Sequence, residues 1–260
     1  MDEKNKIIFT VAAFLVVIAL GIAIYFIFFQ ERPEKIPPAE QVESSVVLPE
    51  ETIEEPEAEG TTYELIDVDV EESDPFVRNI IRDLSTNPKL AQWLMTKDII
   101  KKFTAAVDNI ANGLSPRAHI DFFHPDGQFE IFEKEGSLYI DPESYQRYDL
   151  VANVFASLDT EDMVILFRRF KPVIDNAYKD LGYPNTDFEV TLKRAINELL
   201  EVPIVKDVLL ESKVISYRMV DPELEKLSQA QKHLVRMGPE NIRKIQLKLR
   251  EFRSALDRIK

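Results

Sequence analysis

The residue types best suited to chemistry crowd into "DPESYQRYD" (141–149), where Arg147, Tyr148 and Asp149 follow one another. An arginine set between tyrosines can read a carboxylate or a sugar, because its planar fork of donors matches such acceptors. The commoner use of the trio is an Arg–Asp pair that buttresses a turn. Asp108 and Arg168 join these three as a candidate ligand-binding set of Asp108, Arg147, Tyr148, Asp149 and Arg168. "HIDFFHPD" (119–126) places two histidines and two aspartates within eight residues. Its spacing fits no metal-ligand pattern, and Phe122-Phe123 read as packing, so no metal is expected. "DVDVEESD" (67–74) imitates a calcium loop but has Glu72 where the turn needs glycine and Arg78 where a glutamate should ligate.

Other chemistries are excluded outright. There is no cysteine, hence no disulfide, thiolate nucleophile or zinc–thiolate site. The seven glycines include no G-x-G pair, so neither a dinucleotide fingerprint nor a P-loop is present, and no cofactor is expected. No G-x-S-x-G elbow and no H-E-x-x-H pair occurs.

The most motif-like stretch is "LVRMGPENIRKIQLKL" (234–249). Gly238 suits a left-handed helix cap, Pro239 a first helical position, and Glu240 the first turn, where the helix dipole favours a carboxylate. An anion site at that helix N-terminus is opposed by the same carboxylate. The stretch reads as a corner between two helices.

Those residues need elements to hold them, and the chain divides into unlike parts. Residues 1–6 form a short tail. Residues 7–29 are 23 consecutive uncharged residues, sixteen of them Ile, Leu, Val or Phe. As a helix they would span roughly 35 Å, enough for a bilayer core, so a single transmembrane helix is expected to bind the lipid bilayer. The run is too long for a signal-peptide core and no A-x-A-like site follows it. Lys4 and Lys6 precede the span and Arg32 and Lys35 follow it, so the amino terminus tips the orientation to N-in, C-out. Residues 30–73 carry prolines amid an acid run. From 36 to 77 there are fourteen Asp or Glu and no Lys or Arg, whereas 78–260 hold 28 of each sign. The net charge of −14 therefore belongs to this segment, which is expected to be a disordered spacer.

Residues 74–260 read as a compact, mainly α domain with a small β component (α+β). Pro75 opens a helix with Phe76, Val77, Ile80, Ile81 and Leu84 on one stripe, and Asn87-Pro88 opens a short helix containing Trp93. Thr96 is the expected cap of the next helix, with Ile99, Phe103, Val107 and Ile110 inward and Gly113 as its stop. "QFEIFEKEGSLYID" (128–141) reads as two strands joined at Lys134–Ser137, and "DVLLESKVISYRMV" (207–220) as a second β stretch. Met163, Phe167, Phe170, Ile174, Ala177 and Leu181 mark a helix that Pro172 should kink or split. Phe188, Leu192, Ile196 and Leu199 mark another. Ile242, Ile245, Leu249, Phe252, Leu256 and Ile259 form a seam better suited to packing inside the domain than to a coiled coil. The basic residues of that last helix scatter over its polar arc, so no nucleic-acid partner is expected.

Taken in order, "FTAAVDNIANG", "LYIDPESYQRYD", "YKDLGYP" and "RMGPENIRKIQLKLREFRSAL" resemble a bacterial family known only as a domain of unknown function, over roughly residues 73–258. The resemblance implies one N-terminal span, an acidic proline-rich linker and a C-terminal domain at the bacterial inner membrane, and it carries no catalytic residues. Two functions fit. One is a non-catalytic envelope protein that presents a binding or scaffolding domain to a protein or cell-wall partner in the periplasm. The other is a periplasmic enzyme or small-ligand sensor using the Tyr/Arg/Asp set. The anchor–spacer–domain layout favours the first, and the sequence fixes no oligomeric state.

Overall fold

A computed structural model describes residues 63–81, 88–120, 125, 127–214 and 216–259. The expected membrane span, most of the acidic spacer, and Asp121–His124 of the histidine-rich stretch lie outside the described residues.

The domain begins earlier than the acid run suggests. Residues 63–73, assigned above to the disordered spacer, lie on the fold: Ile66 and Val70 are buried in the core and Ser73 is fully buried. Their apolar beats (Ile66, Val68, Val70) alternate with acids that stay in water, so burial is possible despite the composition. The Ile66 N–H donates to the Arg169 carbonyl at 2.8 Å. A short 3-10 turn, Val70–Glu72, then leads into helix α1, Asp74–Ile81.

Helices α2 (Pro88–Trp93) and α3 (Ile99–Ala111) follow. The start of α3 differs from expectation. Thr96 does not cap it; its hydroxyl accepts from Lys102 Nζ at 2.7 Å. The cap comes from Asp74 on α1, whose carboxylate accepts from the N–H groups of Asp98 (3.0 Å) and Ile99 (2.9 Å). Asp98 takes a left-handed backbone there, with φ 57°, so its own side chain cannot serve. A remote aspartate thus satisfies two orphan donors and meets the positive end of the helix dipole.

Strands β1 (Ile131–Lys134) and β2 (Ser137–Ile140) form the expected hairpin. Its two turn residues, Glu135 and Gly136, both have positive φ, the geometry that matches the twist of a two-residue hairpin. After α4 (Pro142–Gln146), α5 (Asp149–Ser157), α6 (Thr160–Asp180) and α7 (Phe188–Leu200) come β3 (Leu209–Ser212) and β4 (Tyr217–Met219). The sheet is antiparallel in the order β1-β2-β3-β4, with Leu138 opposite Leu210 and Leu210 opposite Met219. Helices α8 (Pro222–Glu225), α9 (Gln229–Val235) and α10 (Pro239–Arg258) complete the fold. Mainly α with a small antiparallel sheet is the architecture.

Pro172 does not split α6, which runs unbroken through it. The proline withholds a hydrogen bond from the carbonyl of Arg168. One residue on, the Arg169 carbonyl receives the Ile66 N–H, so the entering chain docks on α6 beside the carbonyl that the proline cannot serve. The α10 seam packs inside the domain as expected, against α5, α6 and α7, with Ile242, Leu249, Phe252 and Leu256 buried.

Candidate functional site

The two stretches that stand out in the sequence meet in space. Asn241 of the Gly-Pro-Glu-Asn corner is buried, and its Nδ2 donates to the carbonyls of Tyr145 (3.1 Å) and Met237 (2.9 Å) and to Asp149 Oδ1 (2.9 Å). Gly238 is not the left-handed cap of α9. It is the N-cap residue of α10, with φ 84° and ψ 162°, a combination open to glycine alone. A Cβ there would stand 2.7 Å from Tyr145 Cβ. The corner is therefore a clamp: it seats the Tyr145 ring and ties α10 to α5 through Asn241 and Asp149. Burial, with Asp207 nearby, pushes the Tyr145 phenol up to about 12, so it stays neutral.

The five candidate residues do not form one constellation. Asp149 is held by Asn241, while the Arg147 guanidinium carbon lies 5.7 Å from the centre of the Tyr148 ring. Asp108, on α3, accepts from the hydroxyls of Tyr178 (3.2 Å) and Tyr183 (3.4 Å). Burial, and then the Asp108 carboxylate, raise both phenols. Arg168, on α6, pairs with Glu189 and donates to the carbonyls of Leu256 (2.9 Å) and Ile259 (3.2 Å), which ties the end of α10 to α6. The partners of Asp108, Asp149 and Arg168 have no member in common.

Arg168 also borders a surface groove of about 450 Å³ with Tyr63, Leu65, Lys171, Pro172 and Asp175. Its cations are already paired. Lys171 bridges Asp175 and Asp187, each at 2.8 Å. Burial alone would lower the Lys171 ammonium, but its two carboxylate partners raise it overall.

One pairing escaped sequence reasoning, because nothing local signals it. Ser115 Oγ and His233 Nε2 share a hydrogen bond of 2.8 Å across 118 residues. Burial, with Arg236 and Arg117 nearby, pushes the imidazole down to about 4. So weak a base takes little part in activating a hydroxyl near neutral pH, and the pair acts as a tie between α9 and the loop after α3. Among the described residues, no three His, Asp or Glu side chains are grouped to hold a metal. Among the same residues, no helix is long and apolar enough to cross a membrane.

A second space between the helices is apolar. A cavity of about 420 Å³ is walled by α1, α2, α3, α5, α6, α7 and α10, with phenylalanines 103, 155, 167, 170 and 252 among its lining. Its surface is almost wholly apolar. Water inside would find no hydrogen-bond partners. Closed and empty, such a void would cost roughly 10 kcal/mol at about 24 cal/mol per Å³, as much as a whole domain's stability of about 5–15 kcal/mol. Phe103 lines the cavity and is 38% exposed, so the space reaches solvent beside it. The helical stripes read from the sequence supply these walls, yet periodicity cannot separate a cavity lining from a packed core.

No curated protein and no solved structure matches the chain. Residues 99–253, α3 through most of α10, match the family described as "Protein of unknown function (DUF3014)". With more than half of its length matched, the chain belongs to that family.

Proposed function

We propose that the chain is a single-pass, membrane-tethered binding protein of the bacterial cell envelope, its folded domain held in the periplasm on an acidic spacer. Binding rather than catalysis is favoured by one observation: among the described residues, the cavity of the domain offers apolar walls and no convergent ionisable groups. Such a site captures a ligand through burial and leaves its bonds alone. The tether rests on the uncharged run 7–29, and the spacer would let the domain reach envelope proteins, cell wall or lipid.

The absence of cysteine makes the test clean. Single substitutions in the full chain in membranes are Ala195→Cys in the cavity, Val214→Cys on the surface and Ser45→Cys in the spacer. Ala195 is 4% exposed and Val214 fully exposed. An apolar maleimide should outpace a charged one at least tenfold at A195C and not at V214C. A membrane-impermeant maleimide applied from outside should label S45C. No preference for the apolar reagent at A195C removes the binding reading. Labelling of S45C only after the inner membrane is broken removes the periplasmic placement.

A further inference from the structure

We propose that the cavity holds one hydrocarbon chain of a membrane lipid, its polar end left in water beside Phe103. This rests on the reading of the domain as a tethered binding module. The walls choose the ligand chemistry. With aromatic and aliphatic side chains and almost no polar surface among the described lining residues, a donor or acceptor that entered would lose its hydrogen bonds. An extended peptide would bring unpaired N–H and C=O groups. A helix has satisfied its own, but at about 10–12 Å across it is too bulky for a space of this volume. A hydrocarbon chain carries no polar group along its length and bends to an irregular shape.

Size and access agree with that choice. About 420 Å³ falls within the roughly 300–1,000 Å³ of small-ligand sites. Among the described lining residues Phe103 of α3 is the exposed one, so the opening is placed beside it. Met163, unbranched and polarisable, lets the lining adjust to chains of different length. Supply follows from the chain itself. Thirty-three residues, 30–62, separate the proposed span from Tyr63. A flexible chain of that length would have a root-mean-square reach of roughly 30 Å, and a proline-rich, acidic one more, so the tether would hold the cavity within reach of a reservoir of lipid tails.

The experiment uses cells expressing the full chain and fed a diazirine-bearing fatty acid that they build into phospholipid. After irradiation, digestion and mass spectrometry map the adducts. The expected result is phospholipid-mass adducts on peptides from residues 99–111 and 188–200, in addition to those on 7–29. Ala195→Phe, which fills the cavity, should lower the former at least tenfold and leave the latter unchanged. Ala195→Leu, a smaller filling, should lower them less and guards against misfolding of the larger variant. Adducts confined to 7–29 in the unaltered chain overturn the proposal. Cavity adducts carrying only a free fatty acid overturn the membrane lipid as source. Apolar-reagent preference at A195C without any lipid adduct overturns this inference and leaves the binding reading standing; loss of both overturns the two together.

Discussion

Gly238 shows how far one missing side chain governs its surroundings. The ring of Tyr145 occupies the space where a Cβ would stand, and the backbone at φ 84°, ψ 162° admits no other residue without strain. Gly238→Ala should therefore cost roughly 2–4 kcal/mol, overpacking added to backbone strain. Urea unfolding followed by the fluorescence of Trp93, the one tryptophan, measures it. His233 is the second residue with a defined consequence. Its folded value of about 4 lies below the ordinary 6.5, so the unfolded chain binds a proton first as pH falls. Stability is then lost from about pH 6.5 down through about pH 4. Burial comes first among the causes, followed by the like charges of Arg236 and Arg117. His233→Gln keeps a partner for Ser115 and should flatten that part of the acid limb in a pH series of unfolding midpoints. An unchanged slope would show that the imidazole is solvated in the fold.

At the scale of elements, the helices follow from spacing and the ends do not. The stripes on α6, α7 and α10 turn largely inward as their three-and-four periodicity demands, whereas Phe103 of the α3 stripe and Leu181 at the end of the α6 stripe, both expected inward, are exposed. The cap of α3 escapes a reading by position in the chain: Thr96 and Asp98 are both closer along it, yet the acceptor that reaches the first donors is Asp74, brought there in space. Asp74→Ala removes an acceptor for two backbone donors and a 3.0 Å pair with Arg78, and should cost about 1 kcal/mol or more. Thr96→Ala should cost less, since it removes a contact to a lysine side chain and no helix donor. Equal losses in paired unfolding curves would return the cap to Thr96. Pro172 is a similar case: α6 runs through it, and the Ile66 N–H reaches the Arg169 carbonyl, next to the one the proline cannot serve, a contact no local window contains.

At the scale of the whole molecule, the boundary of the folded domain is set by burial, whereas charge composition draws it too late. Ile66 and Val70 lie in the core although they sit among acids. At about 1.5–3 kcal/mol for each fully buried aliphatic side chain, deleting residues 63–73 should remove several kcal/mol. Limited digestion with a glutamate-specific protease should accordingly stop at or before Glu64 and spare Glu71 and Glu72, even though both are exposed. Cutting at Glu72 under native conditions would mean that the segment belongs to the spacer after all. The ion pairs shared by Arg168, Glu189, Lys193 and Asp257 fasten α6, α7 and α10 together at the surface. Their locked geometry is why an arginine that looked available for a ligand in the sequence is occupied in the fold.

The chain alone determined whatever a short window can hold: an uncharged run of 23 residues, an acid stretch free of cations, helical stripes, a hairpin and the missing cysteines. Tertiary structure decided which of these features meet. Asn241 reaches Tyr145 across 96 residues, and His233 reaches Ser115 across 118. The cavity belongs to no window at all, because a packing shortfall is a sum over side chains from seven helices. Periodicity says which face a helix turns inward; only the assembled helices say whether those faces fill the space between them.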